Sequence, residues 1–319
     1  MRIARWTHGG VVGEGIVRDD RVIEFPDGLT VADVLALGLE RALGFAGLDG
    51  GVPLAEVQLL APVVPPSIRD FVAFEEHVEG VVKSVDSSEG VVPEWYEFPT
   101  FYFTNPHSVI ATGEAVVPPA ATHRLDFELE VGAVIGDVEG SDGRSLTPDE
   151  AHRHIFGYTV FNDWSARDVQ AREMKVRLGP SKGKDFASTF GPWIVTADEF
   201  EAMHDDEGFL PLDMRVEVNG VEIGQDLMSN MGWPFRELVA YASRDSRVVP
   251  GDVLGSGTCG RGCLAELWGR AGSLTPPPLQ EGDEVVMRVA GIGEIRNTVA
   301  APRETPYIPP ARGRPRNRA

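Results

Sequence analysis

The chain has 319 residues, with 36 glycines, 24 prolines and a formal net charge of −20 at pH 7. This charge argues against nucleic-acid binding, because the phosphates would be repelled. No apolar stretch reaches the roughly 18 residues that a membrane-spanning helix needs, and the N-terminus lacks the apolar segment of a signal peptide. We therefore expect a cytoplasmic protein with no nucleic-acid and no membrane partner.

The first part of the chain predicts a small α+β unit. Residues 11–17 and 22–25 read as the two strands of a hairpin, and Thr30 is a suitable N-cap for a helix over 31–43. The proline-rich stretch 59–66 excludes helix and reads as a connector.

Three regions follow from this pattern. We expect a small N-terminal domain over 1–58 and a larger second domain over 59–301. Many short valine-rich runs between glycine and proline turns make the fold β-rich. The tail 302–319 holds five arginines, one glutamate and five prolines, a composition that predicts disorder.

Several elements of the larger region are predicted directly by their local sequence. Asn219-Gly220 is a strong two-residue hairpin signal between two strands. An amphipathic helix is expected over 235–242, and closing strands over 285–289 and 294–299.

The most informative segment alternates three acids, Asp126, Glu128 and Glu130, and continues into the apolar run 131–135. We interpret it as one strand, in which the three side chains share a face with neighbours roughly 7 Å apart. Their repulsion would be relieved by a hard cation, which prefers oxygen ligands. A solvated acidic strand edge is the alternative reading of the spacing alone.

Other polar blocks lie on both sides of this segment. Asp163, Arg167, Asp168 and Gln170 fall within ten positions, in the stretch Phe-Asn-Asp-Trp-Ser-Ala-Arg-Asp-Val-Gln. The remaining blocks are Arg69-Asp70-Phe71 with His77, Gly183-Lys184-Asp185-Phe186, Ser256-Gly257-Thr258 and Leu264-Ala265-Glu266-Leu267.

In this order the blocks resemble the fumarylacetoacetate hydrolase family over residues 59–299, and their layout is closest to its longer members. The resemblance implies a mixed β-roll catalytic domain behind a small N-terminal domain, and a homodimer. It makes Asp70, Glu128, Glu130 and Asp163 the ligands of Mg²⁺, Mn²⁺ or Ca²⁺, whereas Asp126 matches the motif without being a ligand.

The same resemblance assigns the remaining site residues. It implies that His77 is a general base oriented by Glu266, and that Lys184 is the catalytic lysine while Lys182 is solvated. Substrate contacts are implied for Tyr102, Arg167, Gln170 and Thr258. Asp168 is expected to pair locally and lock its loop.

The sequence departs from the family pattern at two substrate positions. Position 86 is an aspartate where an arginine is expected nine residues after the histidine, and Met174 replaces a second tyrosine. The H-x-x-E motif of short family members is absent after His77. The catalytic residues are retained, but the missing arginine and tyrosine remove contacts for a distal carboxylate of the substrate. These departures argue against fumarylacetoacetate itself as the substrate.

Four further side chains could bind metal, but their spacing argues against it. Cys259 and Cys263 stand four residues apart with no histidine close in sequence, which makes a poor zinc site, and we expect reduced, structural thiols. His152 and His154 do not face each other on a helix and read as structural or surface residues.

Together these features predict a metal-dependent hydrolase that cleaves a carbon–carbon bond in an anionic β-diketo acid or acylpyruvate-like substrate. A 2-oxo acid decarboxylase, an isomerase or a sugar-acid dehydratase on the same scaffold is the alternative, since all of them stabilise an enolate. A non-catalytic metal-dependent binding protein is the remote alternative.

Overall fold

The computed structural model describes residues 1–86 and 90–314. Within these residues the chain forms seven α-helices and eighteen strands. The helices are α1 (Val31–Leu37), α2 (Leu39–Ala42), α3 (Glu75–Asp86), α4 (Pro148–His154), α5 (Arg167–Met174), α6 (Phe235–Ser243) and α7 (Leu264–Ala271). The first nine strands are β1 (Arg2–His8), β2 (Val11–Arg18), β3 (Arg21–Glu24), β4 (Val52–Pro53), β5 (Gln58–Leu60), β6 (Ile68–Phe71), β7 (Phe101–Thr104), β8 (Val109–Ala111) and β9 (Leu125–Asp126). The other nine are β10 (Leu129–Ile135), β11 (Ile155–Asp163), β12 (Ser165–Ala166), β13 (Ser188–Thr196), β14 (Asp213–Val218), β15 (Val221–Leu227), β16 (Val253–Gly255), β17 (Glu284–Val289) and β18 (Gly293–Thr298).

A mixed sheet of twelve strands forms the centre of the molecule, in the order β4-β3-β2-β1-β13-β11-β10-β16-β6-β7, with β5 on β1 and β8 on β13. Strands β10 and β11 are buried along their whole length. Their residues are almost continuously apolar, as expected for strands covered on both faces.

The N-terminal strands extend this sheet. β1 pairs with β13, with Arg2 opposite Val195, and α1 packs in one apolar cluster with Phe156 of β11 and Val253 of β16. The division of the chain into domains at residue 58 stays a prediction.

A second, four-stranded sheet has the order β15-β14-β17-β18. Its β14–β15 hairpin turns at Asn219 and Gly220, both with positive φ (52° and 77°), which confirms the predicted turn. The predicted helix over 235–242 and the two closing strands are also confirmed, as α6, β17 and β18.

Two predicted elements are wrong in their extent. The helix expected over 31–43 ends at Leu37, because Gly38 takes a φ of 80° and caps it, and α2 then begins. The acidic strand is interrupted between β9 and β10, since the Phe127 and Glu128 amides donate to the side chains of Asp126 and Asn162.

The C-terminal residues 302–314 are exposed and have no regular secondary structure, whereas 315–319 lie outside the described residues. Disorder of the tail therefore stays a prediction. Among the described residues, no helix has the length and apolar character needed to cross a bilayer.

Strand pairing brings distant parts of the chain together at one place. Gly255 of β16 lies opposite Asp70 of β6 in parallel register, and Asp70 lies opposite Tyr102 of β7. On the other side of β16, β10 carries Glu130 and β11 ends at Asp163. The polar blocks of the sequence thus converge on the middle of the large sheet.

Candidate metal centre and active site

Four buried carboxylates meet in the central sheet. Asp70, Glu128, Glu130 and Asp163 each offer one oxygen, and these oxygens all lie within 4.8 Å of one another. Each residue is at most 4% exposed. The four predicted metal ligands are therefore brought together, although 93 positions separate the first from the last in sequence (163 − 70).

The cluster fits a hard divalent cation. Within the part of the chain that the structure describes, Oδ1 of Asp70 and Oδ1 of Asp163 are buried and have no hydrogen-bond partner, which is costly unless a ligand completes the site. Gly255 leaves the necessary space, since a Cβ there would overlap Oδ1 of Asp70 and lie 2.9 Å from Oε2 of Glu130. An all-oxygen donor set suits Mg²⁺, Mn²⁺ or Ca²⁺.

The electrostatics of the four acids are uneven. Burial, reinforced by Asp163, raises the pKa of Asp70 well above its usual value, and burial with the neighbouring Asp70 does the same for Glu130. Burial also acts on Glu128, but Arg167 and Lys184 outweigh it and lower the pKa of that carboxyl. Glu128 is thus the acid with the strongest cationic support.

Lys184 provides part of this support. Its ammonium pairs with Glu128 and lies 2.6 Å from Oδ2 of Asp163. Burial opposes the charged form, yet Asp163 and Glu128 raise the pKa of Lys184 above its usual value. Lys182 lies at the surface and pairs with Asp185 at 2.8 Å.

Arg167 at the start of α5 provides the remaining cationic support for Glu128. Its Nε lies 2.8 Å from Oδ2 of Asp126, its Nη2 lies 2.7 Å from Oε1 of Glu128, and its Nη1 donates to Gln170 at 3.2 Å. The guanidinium therefore links the carboxylate cluster to Asp126, and half-buried Gln170 lies beside it.

Asp126 is not part of the carboxylate cluster. It accepts from the amides of Leu264 and Ala265 at 2.7 and 2.9 Å, at the first turn of α7. A carboxylate is favourable there because the amides of a helix N-terminus are otherwise unpaired. The residue thereby anchors the helix that carries Glu266.

His77 lies on α3 at the rim of the cluster. Its Nε2 is 3.7 Å from Oε1 of Glu128, and its Nδ1 is 3.7 Å from Sγ of Cys263 and 4.0 Å from Oε2 of Glu266. Burial lowers the pKa of His77 to about 4, so the imidazole is neutral at pH 7.

The direct His77–Glu266 hydrogen bond implied by the resemblance is not formed in this structure, because 4.0 Å exceeds hydrogen-bonding distance. Glu266 instead accepts from the Arg261 amide at 2.6 Å and from Arg270 at 2.8 Å. Burial raises the pKa of Glu266 to about 7. Arg270 is four residues after Glu266, a helical spacing that signals the ion pair in the sequence.

Tyr102 and Thr258 both face the carboxylates. The Tyr102 hydroxyl donates to Oδ2 of Asp163 at 2.5 Å, and Oγ1 of Thr258 lies 3.4 Å from Oε1 of Glu130. These two predicted substrate-contacting side chains thus lie beside candidate metal ligands.

The other residues considered in the sequence lie outside this cluster. Asp168 accepts from Thr122 and from the His123 amide, a local pairing of the kind expected. Met174 ends α5 and is 48% exposed. The side chain at position 86 is not among those described.

The two cysteines are free and buried. The contact of Cys263 with His77 could not be predicted, because it joins segments 186 residues apart.

Sequence comparison places the chain among known proteins. A family model described as the fumarylacetoacetate hydrolase C-terminal domain matches residues 67–300. Fumarylacetoacetase from Arabidopsis thaliana is 31% identical over 283 residues, which cover 73% of this chain and 66% of the plant protein.

Solved structures share the fold. A 5-carboxymethyl-2-hydroxymuconate delta-isomerase from Mycobacterium smegmatis has a TM-score of 0.68 at 25% identity, covering 95% of this chain and all of the isomerase chain. Maleylpyruvate hydrolase from Sphingobium sp. SYK-6, solved with manganese(II) and pyruvate, has a TM-score of 0.67 at 22% identity and covers 95% of this chain and 100% of its own. The β-rich α+β fold is therefore of the type expected, and the chain belongs to the fumarylacetoacetate hydrolase family.

Proposed function

We propose that the chain is a divalent-metal-dependent hydrolase that cleaves a carbon–carbon bond in a β-diketo acid or acylpyruvate-like substrate. The observation that carries this proposal is the convergence of four buried carboxylates beside a buried neutral histidine. Similarity to a fumarylacetoacetase and to a maleylpyruvate hydrolase supports the reaction class.

Asp70, Glu128, Glu130 and Asp163 would hold the ion, with Mg²⁺ or Mn²⁺ preferred and Ca²⁺ as the alternative. When bound, such an ion polarises carbonyl oxygens and stabilises an enolate. The manganese and pyruvate in the maleylpyruvate hydrolase structure agree with this use of the fold.

The chain's own residues supply the rest of the chemistry. His77 accepts a proton from water, since its neutral imidazole has a free lone pair. Lys184 and Arg167 offer fixed positive charge to anionic oxygens of the substrate and of the tetrahedral adduct. Tyr102, Gln170 and Thr258 complete the substrate contacts, and Glu266 orients His77 once the two side chains approach.

A second candidate function is a decarboxylase or isomerase that needs no activated water. The 4.0 Å separation between His77 and Glu266 favours it, because the pair that would activate water is not hydrogen-bonded. Similarity to the mycobacterial isomerase supports the isomerase alternative. A dehydratase would use the same enolate stabilisation.

Assays on two substrates distinguish the hydrolase from the decarboxylase or isomerase. Wild type, His77→Asn and Glu266→Gln are assayed on an acylpyruvate and on oxaloacetate, with bound metal quantified. His77→Asn should lower acylpyruvate hydrolysis about 10²-fold or more, and Glu266→Gln should be similarly harmful. The losses from the two substitutions should not add when they are combined, because the two residues act as one unit. Decarboxylation of oxaloacetate should survive.

His152→Asn is the matched control, since His152 lies at the surface and pairs with Glu201 at 3.2 Å. Undiminished hydrolysis in His77→Asn would contradict the proposed base. Mass spectrometry of products from a panel of acylpyruvates, fumarylpyruvate, fumarylacetoacetate and oxaloacetate identifies the acyl group. The homodimer implied by the family remains a proposal that light scattering would test.

A further inference from the structure

A second set of metal-binding side chains lies beside the four carboxylates. His77, Cys263 and Glu128 each offer one ligand atom, these atoms lie within 4.8 Å of one another, and all three residues are buried. The three come from α3, from the N-cap of α7 and from the segment before β10. Unlike the carboxylate cluster, this set includes sulfur and nitrogen.

The chemistry of this set differs from that of its neighbour. Thiolate, imidazole and carboxylate are the ligands zinc uses, and three protein ligands leave a fourth position open. With zinc–ligand bonds of about 2.0–2.3 Å, tetrahedral donors lie about 3.3–3.8 Å apart. The present separations need side-chain movements on the order of 1 Å to reach that geometry.

We propose that His77, Cys263 and Glu128 form a second metal site that takes zinc or a similar thiophilic divalent ion. On binding, the sulfur of Cys263 bonds to the ion, the thiol proton passes to solvent, and no electron is transferred. Arg167 and Lys184 already pair with Glu128, so the ion must displace one of these contacts, which lowers its affinity.

The sequence spacing argued against zinc binding by the two cysteines, but the folded chain places a histidine beside one of them. No histidine is close to Cys263 in sequence, but His77 of α3 lies beside it, with 3.7 Å between Sγ of Cys263 and Nδ1 of His77. Cys259 is equally buried but is not part of the set. It provides a matched thiol for the experiment.

The site has a functional consequence that rests on the proposed function. An ion bound there takes the imidazole lone pair with which His77 would accept a proton, and it competes for Glu128. Zinc should therefore inhibit turnover of the Mg²⁺-activated protein, and Cys263→Ser should relieve the inhibition.

Cobalt(II), a spectroscopic substitute for zinc, tests binding without any substrate. Full-length protein is chelated, kept anaerobic, supplied with Mg²⁺ and titrated with Co²⁺ while the thiolate-to-cobalt charge-transfer band in the near ultraviolet is recorded. Wild type and Cys259→Ser should both show the band, and Cys263→Ser should lack it. No band in wild type, a band in Cys263→Ser or its loss in Cys259→Ser would overturn the proposal.

One further variant keeps the result interpretable. His77→Asn retains Cys263 and should bind cobalt at least about 100-fold more weakly, since direct ligands matter more than the 10–100-fold typical of their supporting partners. Unchanged affinity in that variant would also overturn the site. Because the band is read without turnover, a protein inactive on every substrate would refute the proposed function and leave the cobalt result to decide this site.

Discussion

Lys182 and Lys184 are two residues apart, yet their ammonium groups lie in opposite surroundings. The side chain of Lys182 is 73% exposed, whereas that of Lys184 is 5% exposed and pairs with Glu128 and Asp163. Lys184→Met should lower turnover about 10²-fold or more, because a fixed donor at a site of developing charge is typically worth that much. Steady-state kinetics with saturating metal measure the loss.

Lys182→Met is the internal control for this change. It removes the same charge from the same loop, but from a solvent-screened pair, and should leave turnover nearly unchanged. Equal losses in the two variants would show that the buried lysine has no special part in the reaction.

At the residue scale, the carboxylate cluster was predicted by the resemblance to the family and not by spacing alone. The alternation of acids placed Asp126, Glu128 and Glu130 on one face, but Asp126 is not part of the cluster. The set that converges in the structure is the one the resemblance implied: Asp70, Glu128, Glu130 and Asp163. The contact of Cys263 with His77 was not anticipated, because it depends on how α3 packs against α7, which no local pattern encodes. The pairing of Glu266 with Arg270 was not predicted either, although its i,i+4 spacing on α7 is a local signal.

At the element scale, β16 separates the strands that carry two of the candidate ligands, and it has no side chain at the point between them. Gly255→Ala would place a methyl group against Oδ1 of Asp70 and 2.9 Å from Oε2 of Glu130. We expect manganese affinity to fall at least 10- to 100-fold, since even outer supporting positions have effects of that size. Isothermal titration of Mn²⁺ into chelated protein measures it.

Gly44→Ala is the control for the glycine replacement, because a Cβ there meets no atom within 4 Å. Its manganese affinity should equal that of wild type. Wild-type affinity in Gly255→Ala would mean that the ion, if bound, lies away from β16.

The end of α4 gives the fold a pH-dependent contribution. Nδ1 of His154 lies 3.1 Å from the Gly136 carbonyl and Nε2 lies 2.7 Å from the Ser141 hydroxyl. Burial lowers the pKa of His154. Below about pH 6.5 the unfolded chain then binds more protons than the folded one, so this residue makes the free energy of unfolding fall as pH falls.

His154→Gln should therefore show a shallower loss of stability between pH 7 and pH 5 than wild type. Urea unfolding at several pH values gives the free energies. Parallel curves for wild type and His154→Gln would remove His154 as a source of the pH dependence.

Sequence patterns predicted a minority of the helices and strands, and two of the predicted elements differ from the structure in extent. The Asn219-Gly220 turn signal predicted the β14–β15 hairpin, and apolar periodicity predicted α6, because both signals are local. The break between β9 and β10 depends on Asn162 of a neighbouring strand, and the early end of α1 depends on the conformation of Gly38. The alternation of acidic and apolar residues carries no information about a partner on another strand, and helical periodicity carries none about the conformation of a glycine.

At the scale of the whole molecule, the candidate ligands connect three strands of one sheet. Asp70 comes from β6, Glu130 from β10 and Asp163 from β11, and the unfolded chain cannot hold them together. An ion that binds only the folded state stabilises it by about 2.7 kcal/mol at a concentration 100 times its Kd. Metal loading should therefore raise the melting temperature by several degrees.

Thermal unfolding after chelation, with and without added Mg²⁺ or Mn²⁺, tests this expectation. Asp70→Asn removes one of four mutually repelling carboxylates, so the metal-free protein should melt at or above the wild-type temperature while its response to metal is lost. Asp206→Asn, an exposed acid outside the cluster, should respond like wild type. An unchanged melting temperature in wild type on adding either ion, or a full response in Asp70→Asn, would contradict a metal centre shared by these strands.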